Sequence, residues 1–259
     1  MRIWSMRQRR LVLSVGVLVV LVCSSIAAAQ RGRFGGFFGF GGPRVGVNPP
    51  YDGRFAFTRV RYEGSGRRGG SWADGYPRSD SNLSMILDAL TAIQVNADAT
   101  RVLDLEDPEI FRSPVLFLIE PGFWRITDEG AANLRAYLRK GGFAIFDDFE
   151  QDLWYNFETQ FRRAVPEAEF VKLDLAHPIY RSFFDMREIR LPHPNDDVEP
   201  AYYGVFLDND PTKRLMVIAN HNSDVAEYWD YSGTGRLPVD TTNDAYKLGV
   251  NYMMYALTH

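Results

Sequence analysis

The sequence predicts an α/β fold with a mainly parallel central sheet. The prediction rests on two apolar segments of strand length, Val115–Ile119 and Phe143–Phe146, and on a helical segment between them. Uninterrupted apolar strands are typical of parallel sheets covered on both faces, and strand, helix and strand in succession form a βαβ unit. A chain of 259 residues with a hydrophobic fraction of 46% can bury such a core, and it contains no internal repeat.

The helix of this unit is marked at both ends. Thr127 is its predicted N-cap, and Asp128 and Glu129 in the first turn stabilise the positive end of the helix dipole. Arg139 lies in the last turn, and Gly141 follows where a left-handed residue commonly ends a helix.

Residues 1–29 have the pattern of a signal peptide, with a basic start, an apolar core from Leu11 to Val22 and small residues that end at Ala29. We predict cleavage after Ala29 and an exported protein, periplasmic or secreted. Two alternatives stay open. The apolar segment is nearly long enough to remain as a membrane anchor, and Cys23 could become a lipid-modified N-terminus, although a valine precedes it.

Composition excludes several classes of function. Cys23 is the only cysteine, so a cleaved chain has no disulfide, thiol nucleophile or thiolate zinc ligand. The first 29 residues hold four arginines and no acid, which leaves 25 basic against 33 acidic residues, a net charge of −8 instead of −4. Phosphate backbones need dense Lys and Arg, so nucleic acid is not a predicted partner.

Residues 30–53 are rich in Gly, Arg, Phe and Pro and are predicted to be a flexible linker. Membrane contact is therefore expected only through an uncleaved N-terminal segment. A single domain then spans residues 54–259. Its predicted elements before the βαβ unit are a strand at Phe55–Tyr62, a glycine-rich loop at Glu63–Arg78, a helix capped by Asp80 or Ser81, a short strand at Gln94–Asn96 and a helix start at Asp107-Pro108.

The predicted elements after the βαβ unit are a helix through Phe157 and Phe161, a strand at Val171–Leu175, a helical turn at Ile179–Phe184, a hairpin of Tyr203–Leu207 and Leu215–Ala219, and a final helix capped near Asp240. Residues 185–202 contain three prolines and have no periodicity. A loop this long inside a domain is usually functional or disordered.

Polar residues at the predicted strand ends are the candidate site, because ligands of open α/β sheets bind beyond the carboxyl ends of the strands. The candidate acid–base or binding residues are Glu120, Asp147, Asp148, His221 and Asn222, and the candidate pocket rim is Trp72, Asp74 and Trp124. Acids near a histidine could serve general acid–base chemistry or hold a divalent metal. The alternative is that these acids cap helices and turns, and for the Asp147-Asp148 pair we favour it.

The spacing of potential metal ligands predicts no metal site and no cofactor. The four histidines form no short-range ligand motif, and nucleophile-elbow and nucleotide-binding fingerprints are missing. His193 with Asp196 and Asp197 could hold an ion, but we favour a solvated loop.

Several sequence blocks resemble a bacterial family, domain of unknown function 4159. They are FTRVRYEG, the Trp72 loop, LEDPEIF at 105–111, the PG after Val115–Ile119, LRAYLRKGGFAIFDDF, HPIYRSFF and KLGVNYMMYALT, and together they span about residues 55–258. The family is similar to class I glutamine amidotransferase-like proteins. This resemblance implies a flavodoxin-like three-layer sandwich, to which the residue pattern adds the β-hairpin predicted above in the C-terminal half.

Active amidotransferases place a cysteine nucleophile at a strand-to-helix turn, where this chain has Asp147 and Asp148. Thiol-dependent glutamine hydrolysis is therefore excluded. Two functions remain, and we favour the first. One is a non-catalytic binding module for a protein or glycan at the cell envelope. The other is an envelope hydrolase, glycan-directed or metal-dependent, that uses the carboxylates and His221.

Overall fold

The computed structural model describes residues 45–64, 72–97 and 99–259. The strands are β1 Thr58–Arg61, β2 Glu63–Gly64, β3 Arg101–Asp104, β4 Val115–Ile119, β5 Trp124–Arg125, β6 Phe143–Phe149, β7 Val171–Lys172, β8 Ala201–Phe206 and β9 Leu215–His221. The helices are α1 Arg78–Leu90, α2 Asp128–Arg139, α3 Leu153–Ala164, α4 Val225–Asp230 and α5 Val239–Thr258. Short 3₁₀ turns occupy Pro108–Arg112, Pro178–Arg181 and Leu207–Asn209.

Seven strands form one central sheet in the order β3-β1-β4-β6-β9-β8-β7. The first five of these are parallel, and β8 and β7 add antiparallel pairs at one side. This arrangement confirms the predicted α/β class with a mostly parallel sheet and a hairpin in the C-terminal half. β2 and β5 form a separate two-stranded antiparallel pair.

The core is divided between the two faces of this sheet because side chains alternate along each strand. In β4, Phe117 belongs to a cluster that includes α1, α4 and α5, whereas Leu116 and Leu118 belong to a cluster that includes α2 and α3. All five residues of β4 are buried. The unbroken apolar pattern that predicted β4 therefore reflects helices on both sides.

The βαβ unit follows its sequence signals closely. Thr127 accepts a hydrogen bond from the Gly130 amide at 2.9 Å, as an N-cap should. Gly141 has a φ of 115°, and the Gly142 amide donates to the Tyr137 carbonyl across the helix end. This is the hydrogen-bonding pattern of a Schellman motif, so both predicted caps are confirmed.

Replacing Gly141 with alanine is expected to lower the free energy of unfolding by about 1–2 kcal/mol, because a Cβ disfavours positive φ. The cost is conformational, since nothing lies within 4 Å of a Cβ built at this position. Urea unfolding of Gly141→Ala and Lys140→Ala provides the comparison. Lys140 precedes it with a right-handed backbone, φ −80°, so its substitution should change stability by less than about 0.5 kcal/mol.

Asp80 differs from its predicted role. Helix α1 begins at Arg78, and Pro77 occupies the N-cap position without a side-chain hydrogen bond. Asp80 instead lies in the first turn, fully buried, and pairs with Arg59 of β1. The prediction was wrong because an aspartate beside a helix start is equally compatible with a cap and with a buried ion pair.

Arg59 joins the sheet to the segment before α1. Besides the bidentate pair with Asp80, its guanidinium donates to the Trp72 carbonyl at 3.1 Å, the Asp74 carbonyl at 2.6 Å and Ser79 Oγ at 2.9 Å. Neither charged side chain is exposed to solvent. The buried charges are therefore neutralised and hydrogen-bonded inside the domain, and they fix the loop at residues 72–76.

The outer edge of the sheet at β3 is covered in part by a side chain. Asn48 accepts from the Val102 amide and donates to the Val102 carbonyl, both at 2.8 Å. Asn48 lies within the segment predicted to be a linker. Its amide thus occupies two of the hydrogen-bonding groups that a further strand would use.

Within the described ranges, no helix is long and apolar enough to cross a membrane. The predicted signal peptide and most of the predicted linker lie outside these ranges.

Candidate functional site

The two aspartates at the end of β6 have different surroundings. Asp147 is fully buried and accepts hydrogen bonds from Asn220 Nδ2 at 2.9 Å and from the amides of Val225 and Ala226 at 3.2 and 2.9 Å. It therefore anchors the start of α4. Burial raises the pKa of Asp147 to about 7, although these hydrogen bonds act in the opposite direction. This is the capping role that the sequence analysis favoured for the pair.

Asp148 is held in an uncommon backbone conformation. Its φ is 60°, and the register between β6 and β9 shifts at this point. Glu120 after β4 and Asn222 after β9 also have positive φ, 48° and 58°. Non-glycine residues in this region are uncommon, and they cluster at functional sites. The backbone therefore has a positive φ at or next to the ends of three neighbouring strands, β4, β6 and β9.

The loop between the 3₁₀ turn Pro178–Arg181 and β8 returns across this edge. Asn251 of α5 fixes its beginning by accepting from the amides of Phe183 and Phe184. Further on, Leu191 is fixed by hydrogen bonds to Tyr202 and Ser223. These contacts position His193, the next histidine in the chain.

His193 is the histidine that reaches the candidate site. Its Nε2 lies 3.2 Å from Asp148 Oδ1, and its side chain is only 9% exposed. The neighbouring Asn195 donates to Glu227 Oε2 at 2.9 Å. The middle of the loop is therefore connected to the body of the domain through acidic side chains.

A cavity of about 310 Å³ lies at this edge. The residues that line it are Asp74, Glu120, Phe123, Asp148, Glu150, Leu153, His193, Asn195, Asp224 and Glu227. Six of these ten described residues are acids, and none is Lys or Arg. Ligand atoms of Asp148, His193 and Asp224 all lie within 4.8 Å of one another.

Electrostatic effects in the cavity favour the uptake of positive charge. The pKa of Asp224 lies well above its usual value because of burial first and then the negative charges of Asp148 and Asp147. Desolvation and Asp148 likewise raise the pKa of Asp74. Burial is the largest single effect on His193 and lowers its pKa, but the hydrogen bond with Asp148 and the negative charges of Asp148, Glu150 and Asp196 together outweigh it, so the net shift is upward.

A second acidic group lies on the other side of the His193 ring. Ligand atoms of Glu150, His193 and Asp196 also lie within 4.8 Å of one another. His193 Nδ1 is 3.6 Å from Asp196 Oδ2 and accepts from the Asn195 amide at 3.2 Å. The imidazole therefore has carboxylates next to both of its nitrogen atoms.

The other predicted histidine, His221, does not line this cavity. It packs against the rings of Phe149 and Trp154, and its Nε2 lies 3.2 Å from the Gln151 carbonyl oxygen. Burial lowers its pKa. Asn222 bridges the Gln151 amide and the Glu199 carbonyl and is also outside the cavity lining. Both residues support the loops around the edge.

The predicted rim residues are likewise separated. Asp74 lines the cavity, whereas Trp72 lines a larger neighbouring groove. Trp124 was predicted at the rim, but its side chain is fully buried and packs edge-on against Phe146. Of the five candidate acid–base or binding residues, Glu120 and Asp148 line the cavity, while Asp147, His221 and Asn222 do not.

His193, Asp224 and Glu227 line the cavity but were not predicted to form a site together. The sequence favoured a solvated loop over a metal ligand for His193, and Asp224 and Glu227 were not among the candidate residues. Asp224 is the N-cap of α4 and accepts from the Glu227 amide at 2.8 Å. The available signal was the sequence Asn-Ser-Asp directly after β9, which also follows a strand end.

The fold and the cavity define an α/β protein with a mainly parallel sheet and an acidic pocket at the carboxyl edge that contains an Asp-His-Asp donor set. The model of the domain of unknown function family DUF4159 matches residues 56–257, and the chain belongs to this family. No curated protein matches the sequence.

Proposed function

We propose that the cavity at the carboxyl edge binds a divalent cation through Asp148, His193 and Asp224. The observation that carries the proposal is the approach of these three ligand atoms to within 4.8 Å of one another. The residues lie far apart in the sequence, and all three are largely buried, with 9% of the His193 side chain and 11% of the Asp148 side chain exposed. Two carboxylates and an imidazole are common ligands of divalent metals.

The charge of the cavity supports a cation rather than an anionic ligand. Asp74, Glu120, Glu150 and Glu227 add four carboxyl groups around the three proposed ligands. Gathering acids in a partly enclosed space raises their free energy unless protons or a cation neutralise them. A divalent ion bound between these side chains would remove this repulsion.

Asp196 would orient the metal-binding histidine. Coordination through Nε2 would move the proton of the neutral ring to Nδ1, so the hydrogen bond that Nδ1 accepts from the Asn195 amide would be replaced by one that it donates to Asp196 Oδ2, now 3.6 Å away. Metal-binding histidines generally donate their second N–H to a carboxylate or carbonyl, which fixes the ring and increases its basicity. The mixed oxygen and nitrogen donor set suits Mn²⁺ or Zn²⁺ better than Ca²⁺ or Mg²⁺, which prefer oxygen ligands alone.

The proposal is tested by titrating Mn²⁺, Zn²⁺, Mg²⁺ and Ca²⁺ into the chelator-treated full chain and measuring heat of binding and melting temperature. We expect His193→Gln and Asp148→Asn to weaken Mn²⁺ or Zn²⁺ binding by about 100-fold or more, since loss of residues that only support metal ligands already costs 10–100-fold. Asparagine tolerates positive φ, so Asp148→Asn should retain the backbone geometry.

His221→Gln is the matched control because it changes a partly buried histidine at the same edge of the sheet but outside the cavity. It should bind the cation as the unsubstituted protein does. A saturating cation at about 100 times its dissociation constant should add roughly 2.7 kcal/mol of stability. Equal binding by the His193 and His221 variants, or no binding to the folded unsubstituted chain, would contradict the proposal.

The cellular setting and the finer fold relationship are part of this proposal. The signal-peptide pattern of residues 1–29 supports export to the periplasm or beyond, where the protein would act as a cation-dependent binding module. Counted in chain order, the five parallel strands run 2-1-3-4-5, which is the order of flavodoxin-like sheets. That order, with Asp148 at the end of a central strand, supports the relationship to amidotransferase-like proteins.

Metal-dependent hydrolysis is the second candidate function. The positive φ of both Glu120 and Asp148 favours it, since such strain is often found where chemistry occurs. Three protein ligands would leave a coordination position for water, and Glu120 lines the same cavity. Measuring the hydrolysis of neutral ester substrates by the cation-bound protein and by its Asp148→Asn variant distinguishes a hydrolase from a binding module.

A further inference from the structure

A second and larger cavity lies next to the acidic one. It is a groove of about 1060 Å³ beyond the carboxyl ends of β1 and β3, bounded on its other side by the segment from Arg125 to Glu129 and by α3. We propose that this groove binds an uncharged oligosaccharide. The proposal does not depend on the cation site, because none of the proposed metal ligands lines the groove.

The groove adjoins the switch point of the central sheet. Chain order along the sheet reverses between β1 and β4, since β3 lies on one side of β1 and β4 on the other. Open α/β sheets form a crevice at such a switch point, and ligands bind there. Tyr62 lies at this switch point and donates to the carbonyls of Ile119 and Glu120, at 2.8 and 2.9 Å. The groove, which Tyr62 lines, therefore lies on the β1 side of the crevice, and the acidic cavity, which Glu120 lines, lies on the β4 side.

The charges of the groove are nearly balanced. Its charged lining residues are Arg61, Arg125 and Arg163 together with Glu63, Asp104, Glu106 and Glu129. Arg61 Nε pairs with Asp104 at 2.7 Å, and Arg163 pairs with Asp128 at 2.7 Å. A charged ligand would meet no excess of the opposite charge, whereas hydroxyl groups can both donate to the acids and accept from the arginines.

Helix α3 presents two amide side chains to the same groove. Asn156 donates to the Trp124 carbonyl at 3.1 Å, and Gln160 Oε1 accepts from the Ile126 amide at 3.1 Å. These bonds fix the orientation of both amides and leave the carbonyl oxygen of Asn156 and the NH₂ of Gln160 for a ligand. Pre-oriented donors and acceptors of this kind give a site its specificity for polar ligands.

Trp72 supplies an apolar surface among these polar groups. Its ring is half-buried and lies 5.8 Å from the ring of Tyr76, and its carbonyl is held by Arg59. A sugar ring has an apolar C–H face and a polar rim, so it can pack on an indole while its hydroxyls bond to neighbouring side chains. The groove volume matches the upper range of ligand pockets, enough for several sugar rings.

The experiment is calorimetric titration of the full chain, with a chelator present, against chitotetraose and cellotetraose as neutral probes. Tetragalacturonate serves as the anionic probe, tetraglucosamine as the cationic probe and tetraalanine as a neutral peptide. We expect a neutral oligosaccharide to bind with a dissociation constant of about 1 mM or tighter. Trp72→Ala and Gln160→Ala should each weaken it by about tenfold, which corresponds to about 1.4 kcal/mol.

Tyr155→Ala is the control on the same helix, since Tyr155 is exposed and lies outside the groove. It should leave the affinity unchanged. The Arg59 bond to residue 72 uses the backbone carbonyl, so Trp72→Ala should stay folded, which circular dichroism will verify. No heat from either neutral oligosaccharide, tighter binding of a charged probe or of the peptide, or unchanged affinity in both groove variants would overturn the proposal.

Discussion

Arg59→Met should lower the free energy of unfolding by about 3–5 kcal/mol, the cost of breaking a buried ion pair by removing one partner. Methionine fills a similar volume but leaves the carboxylate of Asp80 buried without its cation. It also removes the donors that hold the carbonyls of Trp72 and Asp74. Urea unfolding followed by circular dichroism gives the free energy directly.

Arg61→Met is the matched control, two residues further along β1. Arg61 also pairs with an aspartate, Asp104, but both side chains of that pair are well exposed, 47% and 39%. Its loss should cost no more than about 1 kcal/mol. Adding Asp80→Leu to Arg59→Met should recover part of the lost stability. Equal costs for the two arginine variants would show that burial of the pair is not what matters.

Phe146→Ala is expected to cost about 3–5 kcal/mol, the usual range for removing a large side chain from a packed core. Phe146 is fully buried in the middle of β6, between the rings of Trp124 at 5.4 Å, Phe157 at 4.9 Å and Phe161 at 5.7 Å. These rings belong to α3 and to the segment after β4. A cavity at this point therefore weakens the packing of a whole layer on the sheet.

Tyr155→Ala tests whether this cost comes from burial. It removes an aromatic side chain from α3 that is 70% exposed, and it should change stability by less than about 0.5 kcal/mol. Thermal and urea unfolding of the two variants should give the same ranking. A small effect of Phe146→Ala would mean that the layer repacks around the missing ring.

Local sequence signals were sufficient for the elements that depend on local interactions. The apolar run of β4, the Thr127 N-cap and the Gly141 turn each have a cause within a few residues of the chain. β3 and α4 were missed because both are short, four and six residues, and short segments show little periodicity. Both elements are stabilised by contacts with parts of the chain that are distant in sequence, such as the pairing of β3 with β1.

The candidate site was harder to predict because its parts meet only in three dimensions. Asp148 was identified from its place after a strand, but His193 arrives from a loop without periodicity. The anchors of that loop, such as Asn251 and Tyr202, are as much as 68 residues away from it along the chain. The local pattern favoured His221, which follows a predicted strand, although it is His193 that reaches the cavity while His221 packs against Phe149 and Trp154.

The two edges of the sheet bear on self-association. Exposed strand edges offer unpaired amides and carbonyls to a second molecule, and this is a common route to fibrous aggregates. At one edge the Asn48 side chain forms hydrogen bonds with the amide and carbonyl of Val102. At the other edge the outermost strand, β7, is only two residues long. Few groups are therefore available for pairing between molecules. Asn48 is therefore expected to hinder the growth of a sheet from one molecule into the next at this edge.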